Sequence, residues 1–143
     1  MSHPPPPDAE YESRIRASFA RQRAMQLMGA RLRRVEPGAV SIALPFREDL
    51  TQQNGYIHAG IITAIADSAC GYAAYTLMPA GSEVLSVEFK VNLLRPAEGE
   101  ELVAEAKVLK AGRTLTVTTC DVYSHAAGEA RMVATMLATM IRR

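Results

Sequence analysis

The stretch QQNGYIHAGIITAIADSACGYAAYTLM, Gln52 to Met78, limits the possible folds more than any other part of the chain. Read as a helix, its residues Ile57, Ile61, Ile62, Ile65, Ala66, Ala69, Cys70, Ala73 and Ala74 wrap most of the circumference. A helix apolar on nearly all sides has to be enclosed on nearly all sides. Pro79 and Gly81 break the pattern just after Met78, as expected of a helix end. From Ile57 onward the segment reaches the ~20 residues that cross a bilayer. Ala and Gly outnumber Leu in it, however, Asp67 sits near its middle and no basic cluster flanks it, which argues for a core helix and no membrane.

The rest of the chain must supply the enclosure. Before the helix, EYESRIRASFARQRAMQLM (Glu10 to Met28) places Ile15, Phe19, Met25 and Met28 among Arg and Glu, an amphipathic helix with Gly29 as its stop. RLRRVEPGAVSIALPF has two short β-like runs around Glu36-Pro37-Gly38, the signature of a hairpin. After the helix, Val87, Phe89, Val91 and Leu93 alternate with Ser86, Glu88, Lys90 and Asn92, the period of a half-buried strand. Leu102, Ala104, Ala106 and Val108 continue the alternation, and Ala111-Gly112-Arg113 links them to the β-branched run TLTVTTCDVYS. The last segment, ARMVATMLATMIRR, fits a helical stripe (Met132, Val133, Met136, Leu137, Met140, Ile141) as well as one strand face (Val133, Thr135, Leu137, Thr139, Ile141); periodicity alone leans to helix.

A chain of 143 residues suffices for one domain with a real core and is too short for two ordinary ones. We expect a single domain over residues 10–143, preceded by a flexible, Pro-rich tail at 1–9 in which successive prolines cannot continue a helix. The start lacks a basic flank followed by an apolar run, so it does not read as a signal peptide. With 48% hydrophobic and 22% charged residues the composition is that of a soluble globular protein. A formal charge of +1 gives no electrostatic case for nucleic acid. The two cysteines, Cys70 and Cys120, have no CxxC or His-rich spacing that suggests zinc or another metal, and read as small core residues in a reducing cytoplasm.

Strands on both sides of one long buried helix suggest an α+β fold in which an antiparallel sheet curls round that helix. Asp67 is then the residue that needs an explanation, because burying an unpaired polar group costs about 2–7 kcal/mol and a charge costs more. It is either a structural carboxylate bonded to backbone or to a partner subunit, or a functional one, since buried ionisable groups cluster at active sites. No GxSxG elbow and no GxxxxGK[ST] loop occurs, which argues against a serine α/β-hydrolase and a P-loop nucleotide enzyme.

NGYIHAGIITAIADSACGYAA resembles the xxHGGxxxxLxDxA helix entry of the PaaI-like acyl-CoA thioesterases, and LSVEFKVNLLRPAEGEELVAEAKVLKAGRTLTVTTCDVY resembles the strands that follow it there. The resemblance runs from about Arg31 to the C-terminus and implies the hotdog fold, an antiparallel sheet wrapped around one long central helix. It also implies that the ambiguous last segment is a strand.

For activity, the resemblance implies hydrolysis of an acyl-CoA to free acid and coenzyme A, with coenzyme A as part of the substrate and no separate cofactor. Asp67 would be the general base or nucleophile, with Ser86 beside it. Gln52, with Asn54 as competitor, would orient water or bond the thioester carbonyl. His58, Ala59 and Gly60 open the helix, where free N–H groups suit a developing oxyanion; His58 reads also as a capping residue. The family usually has Gly at both positions after the His; Ala59 keeps the N–H but adds a methyl group. Lys90, Arg95, Lys110 and Arg113 are candidates for the coenzyme A phosphates. Sites would lie at a homodimer interface, Gln52, Ala59 and Gly60 of one subunit facing Asp67 and Ser86 of the other, in a dimer at minimum and a homotetramer by expectation. The competing readings are a non-catalytic acyl-CoA-binding protein and a hotdog hydratase or dehydratase. Ala64, Ala69, Gly71, Ala73 and Ala74 are the small residues that would leave room for an aromatic or medium-chain acyl group.

Overall fold

The computed structural model describes residues 5–143; residues 1–4, part of the expected tail, lie outside the described residues. The chain runs α1 (Tyr11–Ala20), α2 (Arg23–Met28), β1 (Arg31–Glu36), β2 (Ala39–Pro45), a single 3-10 turn (Glu48–Leu50), α3 (Ala59–Tyr75), β3 (Val84–Leu93), β4 (Glu101–Ala111), β5 (Leu115–Ala126) and β6 (Glu129–Arg142). All six strands form one antiparallel sheet in the order β1-β2-β4-β5-β6-β3, and α3 lies across it. This is the hotdog arrangement.

The core follows from the composition of α3. Ile62, Ile65, Ala66, Ala69, Cys70, Ala73 and Ala74 are buried. The small residues among them let β2, β4 and β5 approach closely, so that Ile42, Leu44, Ala104, Ala106, Cys120, Val122 and Met136 fill the space beneath. Full burial of a side chain the size of Ile65 stabilises by about 1.5–3 kcal/mol. Both cysteines are buried and unpaired. The neighbouring Cys70 thiol and burial together push the Cys120 thiol well above its usual range.

Two expectations change in detail, and a third holds. The N-terminal helix is two helices, broken at Arg21 and Gln22, where Gln22 leaves the helical region (φ −79°, ψ 95°) and caps α2; Gly29 ends α2 at φ 77°, as its sequence position suggests. Strand β3 is less buried than its alternation suggests: Val84 and Val91 are partly buried while Leu85, Val87, Phe89 and Leu93 are exposed, because β3 is a sheet edge paired, among the described residues, only with β6. The last segment is strand β6, as the resemblance implies and periodicity does not. Its bulk is apolar on both faces: Met136 and Met140 point inward, while Leu137 on the outer face is exposed.

The C-terminal end of α3 is tied down from two directions. Arg14 of α1 donates from Nη2 to the carbonyls of Tyr75 and Met78 at 3.4 and 3.0 Å, lies over the Tyr75 ring at 4.3 Å, and is paired with Asp8 at 2.7 Å. The Glu10 amide and the Arg14 guanidinium hold the Asp8 carboxyl below its ordinary range. Thr76 is fully buried; its Oγ1 donates to Ala73 O at 2.7 Å and accepts from the Gly38 amide at 2.8 Å, joining the helix to the β1–β2 turn. Thr76→Val keeps the shape and strands the Gly38 N–H, so urea unfolding should give a loss of about 1–3 kcal/mol. An unchanged midpoint and slope would mean that this buried bond contributes nothing.

Candidate active site

The face of α3 that the start of β3 borders carries the candidate acid. Thr63, Asp67, Gly71 and Tyr75 are only half-buried while Ile62, Ile65, Ala66, Ala69, Cys70, Ala73 and Ala74 are buried, and their spacing of four stacks them along one side of the helix. Asp67 is thus half-buried, where the apolar surroundings had suggested full enclosure. Its Oδ1 accepts a hydrogen bond of 2.6 Å from Ser86 Oγ, and its Oδ2 has no partner among the described residues. Both residues lie in a groove of about 610 Å³ between α3, the α1–α2 junction and the start of β3. Ser86 comes from the same chain, on the inward side of β3 just before its bulge.

The other candidates gather elsewhere. Gln52, His58, Ala59 and Arg95 line a second groove, also about 610 Å³, with Leu93, Leu94 and Ala97. His58 caps α3: its Nδ1 accepts from the Gly60 amide at 2.8 Å. The ring rests against Gly60, where an added Cβ would come within 3.1 Å of Nδ1. The Gly60 N–H is therefore occupied and is not an oxyanion donor in this arrangement; the Ala59 N–H carries no hydrogen bond among the described residues and points from the positive end of the helix. Gln52 Oε1 accepts from the Asn54 amide, which leaves its Nε2 as a donor.

Ala59 and Asp67 stand eight residues apart on one helix, which is about 12 Å along its axis at ~1.5 Å per residue. One thioester carbonyl does not reach both within one chain. The basic candidates are not gathered either. Arg95 rims the Ala59 groove, with Nη1 committed to Met132 O at 2.8 Å. Lys90 is on the exposed edge strand β3, and Lys110 and Arg113 are exposed near the β4–β5 connection. The sequence reading missed Ser18, Gln22 and Tyr72, which wall the Asp67 groove. The Tyr72 hydroxyl and Ser18 Oγ are 3.2 Å apart, and burial raises the Tyr72 phenol above its ordinary range against the opposing effect of Ser18. Among the described residues no group of three or more His, Cys, Asp or Glu is placed to hold a metal ion, and no helix is long and apolar enough to cross a membrane.

A sheet wrapped on one helix, with a serine-bonded carboxylate halfway along it, is the arrangement against which the comparisons with known proteins are set. The family model of the thioesterase superfamily matches residues 54–130, a span that includes His58, Ala59, Gly60, Asp67 and Ser86 and begins just after Gln52. The chain belongs to the thioesterase superfamily. It is 51% identical to a thioesterase family protein from Silicibacter pomeroyi whose crystal structure superposes with a TM-score of 0.91, covering 92% of this chain and 97% of that one. It is 31% identical over 94 residues to human acyl-coenzyme A thioesterase 13, covering 65% of this chain and 66% of that protein. A protein of Saccharolobus solfataricus that bears an esterase name is 35% identical over 83 residues, 58% of this chain, and the chain spans only 59% of its length. The PaaI protein of E. coli shares the fold at a TM-score of 0.85, with 17% identity and 94% of each chain covered.

The cap gives a test of its own. His58→Ala should lower stability by about 1 kcal/mol, the usual loss on removing an N-cap acceptor, and His58→Asn should restore most of it. Equal stability of the three proteins in chemical denaturation would show that the Nδ1 contact does not hold the helix start.

Proposed function

We propose that the protein hydrolyses an acyl-CoA thioester to a free acid and coenzyme A, at two equivalent sites shared by two copies of the chain. The observation that carries this reading is the separation of the two half-sites: Asp67 with Ser86 at one groove, Ala59 with Gln52 at another, too far apart to act on one carbonyl within a chain. Strand β3 offers the means of bringing them together. Its outer edge is unpaired, and Leu85, Val87, Phe89 and Leu93 along it are exposed. Its start lines the Asp67 groove and its end lines the Ala59 groove. Antiparallel pairing of two such edges about a two-fold axis sets the start of one against the end of the other, so each Asp67 groove meets the partner's Ala59 groove.

In the joined site the Ala59 N–H and Gln52 Nε2 donate to the carbonyl oxygen, and their bonds strengthen as negative charge develops there. Asp67, its Oδ1 held by Ser86, accepts a proton on Oδ2 from a water whose oxygen attacks the carbonyl carbon. The tetrahedral intermediate then collapses with cleavage of the C–S bond, and the proton leaves with the coenzyme A sulfur. Attack by the carboxylate itself, through an anhydride, uses the same placement. Arg95, at the rim of the Ala59 groove, is the best-placed of the four basic residues to meet a coenzyme A phosphate. A dimer is the smallest assembly that this reading requires; a tetramer is a further expectation from the resemblance, and a cytoplasmic location one from the two unpaired cysteines. A hydratase that relies on His58 is disfavoured because its Nδ1 already holds Gly60.

With thiol release from a panel of acyl-CoAs as the assay, Asp67→Ala should reduce kcat by roughly 10²–10⁴-fold, the range for loss of a general base; an undiminished rate would overturn the mechanism. Gln52→Ala and Asp67→Ala chains, each impaired alone, should recover activity when co-expressed as mixed dimers, because one of the two sites then has both residues. No recovery in purified mixed dimers would place Gln52 and Asp67 of the same chain in one site.

A further inference from the structure

Resting on the shared-site reading above, we propose that two copies of the chain join along β3 in a single register, in which Phe89 faces its own counterpart and Glu88 meets Lys90 of the partner subunit on each side of the axis. The pairing of β3 with β6 sorts these three residues onto two faces. Phe89 lies beside the buried Ala138 and so belongs to the inner face, while Glu88 and Lys90 lie beside Thr139 and the exposed Leu137 and belong to the outer one. Thr139 Oγ1 donates to Glu88 Oε1 at 2.6 Å and fixes that carboxylate on the sheet. Neither Glu88 nor Lys90 takes part in an ion pair among the described residues. At the other edge of the sheet, by contrast, Arg33 and Arg34 are both paired with glutamates of β4. Two opposite charges, two residues apart on an open edge and each without a counterion, are complementary to the same pair read in reverse.

A two-fold axis perpendicular to the sheet makes one residue of β3 face its own copy, and the pairs on either side then follow. The strand has 10 residues, Val84–Leu93, and its middle falls at Glu88 and Phe89. Glu88 at the axis would set two carboxylates opposite each other and Lys90 two ammonium groups, both unfavourable. Val87 is the residue left over where the register with β6 slips between Ser86 and Glu88, so no regular pair is built on it. Val91 at the axis would leave only the second half of the strand paired. Phe89 at the axis avoids all of these. Two aromatic rings then meet on the inner face, and on the outer face Glu88 and Lys90 of each copy lie opposite Lys90 and Glu88 of the other. The start of one β3 still lies against the end of the other, as a shared site requires. An edge strand with charges in another order meets like charge here, so Glu88-Phe89-Lys90 selects its own kind as partner.

The test follows association of the full-length protein by sedimentation across a dilution series at low salt. Glu88→Lys and Lys90→Glu each turn two attractive pairs into two repulsive ones, and each variant alone should dimerise roughly 10-fold or more weakly than wild type. Mixed in equal amounts, the two should form a heterodimer about as tight as the wild-type homodimer, because every cross-strand pair is again of opposite charge; the double variant Glu88→Lys/Lys90→Glu should pair with itself equally well. Under mild oxidation Phe89→Cys should form a covalent dimer faster than Glu88→Cys or Lys90→Cys, since only position 89 then lies opposite itself within disulfide reach. Single variants that are not weakened, a mixture that associates no better than its components, or fastest cross-linking at position 88 or 90 would each overturn the register. None of these measurements involves hydrolysis. Wild type that dimerises in this register but releases no thiol from any acyl-CoA would overturn the proposed function and leave the register standing, and active dimers that fail the charge and cross-linking tests would do the reverse. A monomer at every concentration would overturn both.

Discussion

Everything in this molecule follows from the need to enclose α3. An apolar helix with a carboxylate in its middle is stable in water only if its apolar faces are covered and its charged one is not, because covering the charge costs more than the surrounding contacts return. The sheet meets both conditions. Strands β2, β4 and β5 press on Ile65, Ala66, Ala69 and Ala73, while the line of Thr63, Asp67, Gly71 and Tyr75 stays open. The placement of the groove is thus the remainder of a packing problem.

The two ends of the sheet are finished differently. At β1 the edge is dense in charge: Arg33 pairs with Glu101 at 2.7 Å and Arg34 with Glu105 at 2.8 Å, which is how natural sheets discourage further strands. At β3 the border carries Leu85, Val87, Phe89 and Leu93, all apolar and exposed, with Glu88 and Lys90 opposite the outward Thr139 and Leu137 of β6. One edge repels addition and the other invites it, and the two grooves lie at the two ends of the inviting one.

Much of this was legible in the sequence. The helix announced itself by composition, and the β4 and β5 strands by alternation that the outer face of the sheet preserves. The final strand was not legible by period, because Met136 and Met140 inward and Leu137 and Ile141 outward satisfy both a stripe and an alternation; only the resemblance separated them. Asp67 and Ser86 were both singled out by the sequence, and the structure joins them by a hydrogen bond of 2.6 Å. What was missed depends on neighbours in space. Nothing in HAG says that the imidazole takes the Gly60 amide, and nothing in SVEFKVNL says that its strand has a partner on one side only. The open stripe was within reach: Asp67, Gly71 and Tyr75 at intervals of four already mark one face as different from the apolar rest.

The exposed edge of β3 also bears on how the chain behaves when it is scarce. A sheet with an unpaired apolar border is a template for any extended segment nearby, so a folded but solitary chain is the species most at risk of wrong association. On the shared-site reading, pairing of two copies along β3 removes that hazard and creates function in the same event. Mass action then links the two: dilution yields chains that are both idle and vulnerable, while accumulation yields chains that are both competent and protected. Quality control and activation become a single second-order step, governed by how much of the protein is present and needing no other signal.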